Sequence, residues 1–581
     1  MKGSPLLRLR HCGQSTCKAP LDRQTMSLGP YESAFHKRIL RLEQQGFVDR
    51  LWRKDASLWK KDLKVQEMIR QSLGWLHVAE KMEENLDIIA RFAAEVKAMG
   101  FQHVLHMGMG GSSLAALVFG RTFPQAQEGL PLTVLDTTDP TTILNIERRI
   151  PLRHTLFIAA SKSGTTAEGI VLNDYFYAKI KTIKGEKAGE NFIAITDPDT
   201  LLAKQANERG YRRTFLNFGD IGGRYSALSY FGLVPAALAG VDISELLTRA
   251  LRMAHACSSS VPVSQNPSAV LGAVIGELTR RGRDKVTFLM PHSIGTLGMW
   301  LEQLLAESTG KEGTGVLPVS GESPGSPSVY GEDRLFVRIR LREEVDRDLD
   351  HRIAALRKAG HPLVTIFMND LLDLGQEFLR WEIATAAAGA ILAINAFDQP
   401  NVQESKENTN RLLERAQKEK KLPEIRPTLS EGPLRLFGKE KRETVKECLH
   451  AFFSQARPGD YVGLQAYLPE TTAIDQRLQT IRLCLRDSLH LATTLGYGPR
   501  FLHSTGQFHK GGPNRGLFLQ LVADEAEVVP VPGKPYSFGL LLQAQALGDL
   551  QALRKHRRRV VRVHLGGDVM QGLKALERAI L

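Results

Sequence analysis

The sequence predicts an α/β fold built from parallel sheets with helices on both faces, and three observations predict it. From about residue 100 onward, short apolar runs alternate with stretches of helical period, which is the pattern of strands joined by crossover helices. Two of those runs end in glycine- and hydroxyl-rich turns, residues 108–113 and 161–166, each followed by a helical pattern. The composition is that of a globular protein, with 43% hydrophobic and 24% charged residues. A chain of 581 residues is long enough for several domains with their own cores.

The elements follow in order. Residues 1–28 are expected to form a disordered extension, with Met26 a candidate true start. Residues 29–95 form a helical segment in which Leu40, Leu42, Phe47, Leu51 and Trp52 recur at helical spacing. A first α/β domain over 96–260 has strands at 103–107, 132–135, 155–160 and 191–195. A second over 261–420 has strands at 285–290, 335–339, 363–367 and 390–394. The polar stretch 404–431 reads as a helix passing into a linker. A smaller C-terminal α/β unit over 421–581 has strands at 461–466, 500–503, 516–522 and 560–565. No apolar run reaches the roughly 20 residues of a spanning helix. No hydrophobic signal segment opens the chain.

The net charge of +13 gathers partly in residues 1–25 and partly in Arg554-Lys555-His556-Arg557-Arg558-Arg559. No aromatic or groove-reading motif accompanies either cluster, so a solvated turn is favoured over nucleic-acid or membrane binding. Five scattered cysteines, Cys12, Cys17, Cys257, Cys448 and Cys484, fit a reducing compartment without a disulfide framework. Cys12 and Cys17 lack the second ligand pair of a zinc site, and no other metal cluster emerges.

The turn 161–166 places Ser161, Ser163, Thr165 and Thr166, the ammonium of Lys162 and the glycine Gly164 between a buried strand and a helix. Backbone N–H groups at a helix start attract anions, and hydroxyls close around the remaining oxygens. The nucleotide-loop pattern is absent, so a small phosphate ester is the expected guest. An ordinary hydroxyl-capped helix is the competing reading. The turn at Gly108, Gly110, Gly111, Ser112 and Ser113 superficially resembles the dinucleotide fingerprint, with Asp136 ending the next strand. The third glycine is missing, however, and the two serines stand where a helix must pack closely. Two such turns at the carboxyl end of one sheet favour a sugar phosphate.

These two turns resemble a sugar isomerase (SIS) domain, and further stretches narrow the resemblance to the glucose-6-phosphate isomerase family. Residues 222–226 ("GGRYS") with 232–240 resemble its arginine segment, 301–311 ("LEQLLAESTGK") its catalytic glutamate segment, and 395–406 ("NAFDQPNVQESK") its catalytic lysine segment. They occur in the family's order, and the resemblance covers about residues 31–410. It implies two SIS-type doubly wound parallel-sheet domains, preceded by the helical segment and followed by the smaller unit. The C-terminal third resembles the bacterial isomerase that is fused to, or encoded beside, transaldolase; no transaldolase portion is evident.

The family's roles fall on Glu307, Arg224 and Lys406. Moving a proton between two adjacent carbons needs one base serving both and a cation beside the enediolate oxygens. Glu307 ends a helix whose buried face is Leu297, Trp300, Leu301, Leu304 and Leu305, with Gly310 as the stop. Arg224 sits on a Gly-Gly turn before an apolar helix. Lys406 lies just inside a helix and, by resemblance, contacts ring or hydroxyl oxygens. Gln303 precedes Glu307 by one helical turn and either orients it, binds substrate or packs beside Trp300.

One departure stands out. The family's ring-opening histidine follows its glutamate segment, yet no histidine lies between His292 and His351. Residues 502–507 ("LHSTGQ") in the C-terminal unit resemble that histidine motif instead. His503 is therefore expected to open the sugar ring; a satisfied structural histidine is the alternative, and His509 and Lys510 are weaker candidates. The expected chemistry needs no cofactor or metal. Expected partners are a small sugar phosphate, a second copy in a homodimer and a functional association with transaldolase, with no nucleic acid or membrane and a cytoplasmic location. Activity on both glucose and mannose 6-phosphates, a non-catalytic sugar-phosphate sensor and a dinucleotide-dependent enzyme are the rivals.

Overall fold

The computed structural model describes residues 24–123, 129–419, 421–423 and 425–581. Residues 24–28 are not the disordered extension that the sequence suggests. Strand β1 (Gln24–Ser27) pairs antiparallel with residues 363–366, and Leu28 is fully buried. An exposed sheet edge supplies the unpaired N–H and C=O groups that make even this short polar strand worth ordering. The rest of the expected extension lies outside the described residues. Helices Glu32–Gln44, Phe47–Trp52, Leu63–Arg70, Val78–Glu83 and Leu86–Ala98 follow. Phe35, Ile39 and Leu42 form the buried face of the first, whereas Leu40, expected on that face, is 62% exposed.

A first sheet contains β2 (His103–Met107), β3 (Leu132–Leu135), β4 (Thr155–Ala160), β5 (Phe192–Thr196) and β6 (Arg213–Leu216). All its strands run parallel, in the order β3-β2-β4-β5-β6. A second contains β7 (Lys285–Leu289), β8 (Leu317–Val319), β9 (Arg334–Leu341) and β10 (Leu363–Met368), in the order β1-β10-β9-β7-β8. A third contains β11 (Leu429–Glu431), β12 (Leu434–Phe437), β13 (Tyr461–Tyr467), β14 (Ala492–Tyr497), β15 (Gly516–Val522) and β16 (Arg559–His564), in the order β11-β12-β16-β15-β13-β14. In each parallel series the chain leaves the first strand to one side and returns to the other. The resulting crevices lie between β2 and β4, β7 and β9, and β13 and β15, where doubly wound sheets bind ligands.

Two expected strands are not strands. Residues 390–394 end the helix Leu374–Leu392, whose small side chains let it lie against the helix Pro267–Arg280. A Cβ on Gly272 would come within 2.5 Å of the Ala384 carbonyl, so the two backbones are nearly in contact. Ala393, with φ of 57°, stops the helix. Residues 500–503 form a short 3-10 turn, Arg500–His503, after β14, which the sequence reading passed over. The run Ala492–Tyr497 alternates too weakly to announce itself, yet it pairs parallel with β13 along its whole length.

The C-terminal unit shares cores with both others. Phe538, Leu541, Leu547 and Leu550 from the helix Phe538–Lys555 pack with Phe157, Phe176 and Phe192 of the first sheet and its helix. Tyr461, Phe508 and Phe518 pack with Ala306, Leu317 and Val319 of the second. Arg500 adds a bidentate pair, donating from Nε and Nη2 to the two oxygens of Asp136 at 2.7 Å each. Two residues of the basic cluster 554–559 reach across this seam and two tie it to its own unit. Lys555 and His556 both meet Glu404, Arg558 donates to the Gly512 carbonyl, and Arg559 pairs with Asp460. Among the described residues no helix is long and apolar enough to cross a membrane.

Asp136 is 1% exposed, so removing its partner strands a buried carboxylate. Arg500→Met is expected to destabilise the chain by about 3–5 kcal/mol, read from chemical denaturation. A loss under about 1 kcal/mol contradicts a structural role for this pair.

Candidate active site

The site forms where the two expected turns of the first sheet meet segments from the rest of the chain. His106, on β2, holds the first turn by donating from Nε2 to the Ser112 carbonyl at 2.6 Å. Burial pushes its imidazolium down to about 4, so the ring is neutral and its proton stays on this bond. Ser113 donates to the Gly110 carbonyl at 3.2 Å, and Ser112 and Ser113 are both buried. Gly110 and Gly111 are close-approach positions. A Cβ on Gly110 would lie 2.7 Å from Gln303 Nε2 and 2.9 Å from the His503 carbonyl oxygen; one on Gly111 would lie 2.1 Å from the backbone of Gly223.

The second turn follows β4. Gly164 takes φ of 64°, and its N–H donates to Ser161 Oγ at 3.1 Å. Ser161 lies 3.3 Å from the Thr166 hydroxyl, and Ser163 lies 2.9 Å from that of Thr165. Thr166 occupies the position before the helix Ala167–Lys184 without its side chain capping it. That departs from the ordinary hydroxyl cap and favours the anion cradle. Lys162 turns to the other side, pairing with Asp197 and donating to the Gly219 carbonyl at 3.1 Å.

Glu307 lies in the last turn of the helix Leu297–Thr309 and is only 7% exposed. Its Oε2 accepts from Gln303 Nε2 at 2.9 Å, and its Oε1 lies 3.3 Å from Arg224 Nη1. Arg224, on the 3-10 turn Gly223–Tyr225, is held on every side. Its Nε donates to Ser308 Oγ at 2.7 Å, Nη1 to Gln399 Oε1 at 3.0 Å, and Nη2 to the carbonyls of Ala396 and Asp398 at 2.7 and 3.0 Å. Lys311 pins the same loop, donating to the Asp398 carbonyl at 2.5 Å and to its carboxylate at 2.7 Å. Burial first, and the charge of Arg224 second, push the Lys311 ammonium down to about 8.

His503 reaches this group from the C-terminal unit. Its carbonyl accepts from Gln303 Nε2 at 2.8 Å, so one amide links the His503 backbone to Glu307. Its Nε2 lies 3.0 Å from Glu168 Oε1; a carboxylate only accepts, so this nitrogen carries a proton. Burial pushes the Glu168 carboxyl up, but the charge and hydrogen bond of His503, with the charge of Lys406, hold it below its ordinary value. Lys406, in the helix Pro400–Glu419, thus stands on the Glu168 side of the site.

Glu307, Arg224, Gln303, His503, Gly110 and Gly111 come into direct contact. Lys406 and the turn 161–166 join through Glu168, while Lys162 does not converge with them. His509 and Lys510 belong elsewhere: His509 is buried with its Nδ1 3.0 Å from Tyr461 Oη, and Lys510 pairs with Asp549 at 2.6 Å in full burial. The sequence reading missed Glu168, Ser308, Lys311 and Gln399. The last three lie within segments it quoted, but only their contacts with Arg224 and its loop separate them from their neighbours. Asp136 has both oxygens on Arg500, which leaves the dinucleotide reading without its ribose acid.

Residues 77–334 match the phosphoglucose isomerase family model. A glucose-6-phosphate isomerase of Carboxydothermus hydrogenoformans is 29% identical over 409 residues, 61% of this chain and 87% of that one. One of Parabacteroides distasonis is 28% identical over 404 residues, 61% and 90% of the two chains. Among solved structures, a hypothetical protein of Thermus thermophilus superposes with a TM-score of 0.57 at 23% identity, covering 67% of this chain and 99% of that one. A glucose-6-phosphate isomerase of Chlamydia trachomatis gives 0.52 at 19%, covering 64% and 78%. The two structures establish the shared fold; the family match and the sequence relatives show what the chain is similar to over its first two thirds.

With its ammonium pushed down to about 8, Lys311 discharges at mildly alkaline pH and loosens its hold on Asp398, and with it the loop that anchors Arg224. Activity of the natural chain is expected to fall as pH rises past about 8, and Lys311→Arg, charged up to about pH 12, to extend the plateau. Identical alkaline limbs in the two pH profiles contradict this link.

Proposed function

We propose that this chain, which carries the phosphoglucose isomerase domain over residues 77–334, interconverts glucose 6-phosphate and fructose 6-phosphate through a cis-enediol. One observation carries the reading: a buried carboxylate, Glu307, faces a buried and fully anchored guanidinium, Arg224, in the crevice served by two hydroxyl- and glycine-rich turns. Isomerisation needs a single base for two carbons and a fixed cation for the oxygens that become anionic.

In this reading the substrate phosphate rests on the turn 161–166, with Ser161, Ser163, Thr165 and Thr166 at the helix start, close to residues 110–113. His503 and Lys406 serve ring opening: the bond from the anomeric carbon to the ring oxygen breaks, the hydroxyl on that carbon loses its proton, and the ring oxygen gains one. Glu307 then takes the proton from C2 of the open aldose and returns it to C1. The hydroxyl protons move between O1 and O2, and Arg224 stabilises the enediolate. Four of its donors are engaged by the protein and hold the guanidinium in place, which leaves the Nη1 edge that faces Glu307 to meet these oxygens. The reaction is reversible and belongs to glycolysis and gluconeogenesis, and a cytoplasmic location goes with it. A homodimer and an association with transaldolase remain proposals that resemblance alone motivates.

The test is a coupled assay that follows glucose 6-phosphate formed from fructose 6-phosphate. Glu307→Gln is expected to lower kcat by about 10²–10⁴-fold. Turnover that survives the substitution excludes Glu307 as the base. Binding of sugar phosphate without turnover in the natural chain favours the sensor, and comparable rates on mannose 6-phosphate favour the dual isomerase.

A further inference from the structure

We propose that Gln545, on the helix Phe538–Lys555, is a positioning residue for ring opening: it orients the Glu168 carboxylate that holds His503. The proposal rests on the isomerase reading and adds to it a residue from the C-terminal unit.

Gln545 is 3% exposed, and both ends of its amide are engaged across the seam between units. Nε2 donates to Glu168 Oε1 at 2.7 Å, and Oε1 accepts from the hydroxyl of Thr138 at 2.8 Å. The acceptor-only carboxylate of Glu168 decides which way the amide faces, and the hydroxyl of Thr138, fully buried in the loop after β3, supplies the proton that holds the amide oxygen. Turned over, the amide would aim its oxygen at a carboxylate oxygen, two acceptors with no proton between them. The Glu168 oxygen that takes the Gln545 bond is the same one that faces His503 Nε2 at 3.0 Å.

This arrangement suits a histidine that gains and loses a proton during each turnover. With Nε2 on Glu168, Nδ1 is the nitrogen left for proton transfer, and the charge of the ring alternates. When that charge is lost the Nε2–H bond to the carboxylate weakens from a charge-assisted to a neutral one, so the imidazole alone holds the carboxylate less firmly. A neutral amide donor holds the carboxylate in both states and adds no charge of its own. Its helix is rigidly placed: Phe538, Leu541, Ala544 and Leu547 lie in the core shared with the first sheet, and Gln520 donates to the Ala546 carbonyl at 3.0 Å. Rigid elements behind a catalytic side chain are what keep it within productive range.

The test is a double-mutant cycle on the full chain, measuring kcat and KM for fructose 6-phosphate in the natural chain, Gln545→Ala, His503→Ala and the pair. Gln545→Ala is expected to lower kcat by about tenfold, with KM changed by less than about twofold. His503→Ala is expected to lower kcat by about 10²-fold, and adding Gln545→Ala to it to lower kcat by less than about twofold more, since a residue acting through another has nothing left to act on. Thr138→Val keeps the volume but removes the hydroxyl that anchors the amide oxygen, and is expected to lower kcat by about threefold. It serves as the reading variant if Gln545→Ala fails to fold. Losses that multiply in the double variant, or natural kcat in Thr138→Val, overturn the positioning role and leave the isomerase reading intact. A natural chain that does not isomerise at all overturns both.

Discussion

The guanidinium of Arg224 is the point on which the site is assembled. It meets five oxygens, from Ser308, Gln399, Glu307 and the carbonyls of Ala396 and Asp398, and these come from two segments far apart in sequence. Arg224 is itself delivered by a third segment, the turn Gly223–Tyr225. A planar fork with donors in fixed directions can join three segments in one geometry, which a flexible ammonium cannot do. Its burial raises the stakes of every contact, because an unmatched charge there costs several kcal/mol. The glycines Gly110 and Gly111 follow from the same constraint: Gly111 lets its backbone reach that of Gly223 and Arg224, and Gly110 leaves room for the Gln303 amide and the His503 carbonyl.

The C-terminal unit is part of this assembly rather than an appendage. It shares apolar cores with both other units, and its Arg500 closes on the acid at the end of β3. Three residues after Arg500, the chain presents His503 to Glu168 and its backbone carbonyl to Gln303. The short turn between β14 and the helix Gly506–Gly511 therefore carries both the clamp and the histidine. Placing both on one rigid turn means that docking of the unit and placement of His503 are a single event. This explains why a histidine absent from the stretch after the glutamate segment is present at the site nonetheless.

Much of this was legible in the sequence. The alternation of apolar runs and helical stretches predicts parallel doubly wound sheets, and the strands 103–107, 132–135, 155–160 and 516–522 were readable to the residue because each is a mostly apolar run bounded by turn chemistry. Glu307, Arg224, Gln303 and His503 stood out because each lies in a short stretch that resembles a segment of the isomerase family. Where the reading failed, tertiary contact had overridden local pattern. Residues 390–394 look like a strand by composition, but they end a helix whose small residues Ala384 and Ala387 serve a close helix–helix approach at Gly272. Residues 24–28 look disordered until a free sheet edge and a core cavity for Leu28 are supplied.

The sequence by itself determined the class of fold and the two hydroxyl-rich turns, because these depend on residue type and spacing along the chain, and its resemblance to a family singled out Glu307 and Arg224 as the proposed base and cation. Only the tertiary structure decided which partners they meet. Glu168 and Gln545 lie 377 residues apart, and Thr138 and Gln545 lie 407 apart. No local pattern marks a glutamate in the first turn of a helix, or a glutamine on a buried helix face, as members of one hydrogen-bonded chain. Lys162 shows the converse: its place in the motif suggested an anion ligand, and the fold turned it to Asp197 instead. Residue type settles what a side chain is able to do, and packing settles what it is left free to do.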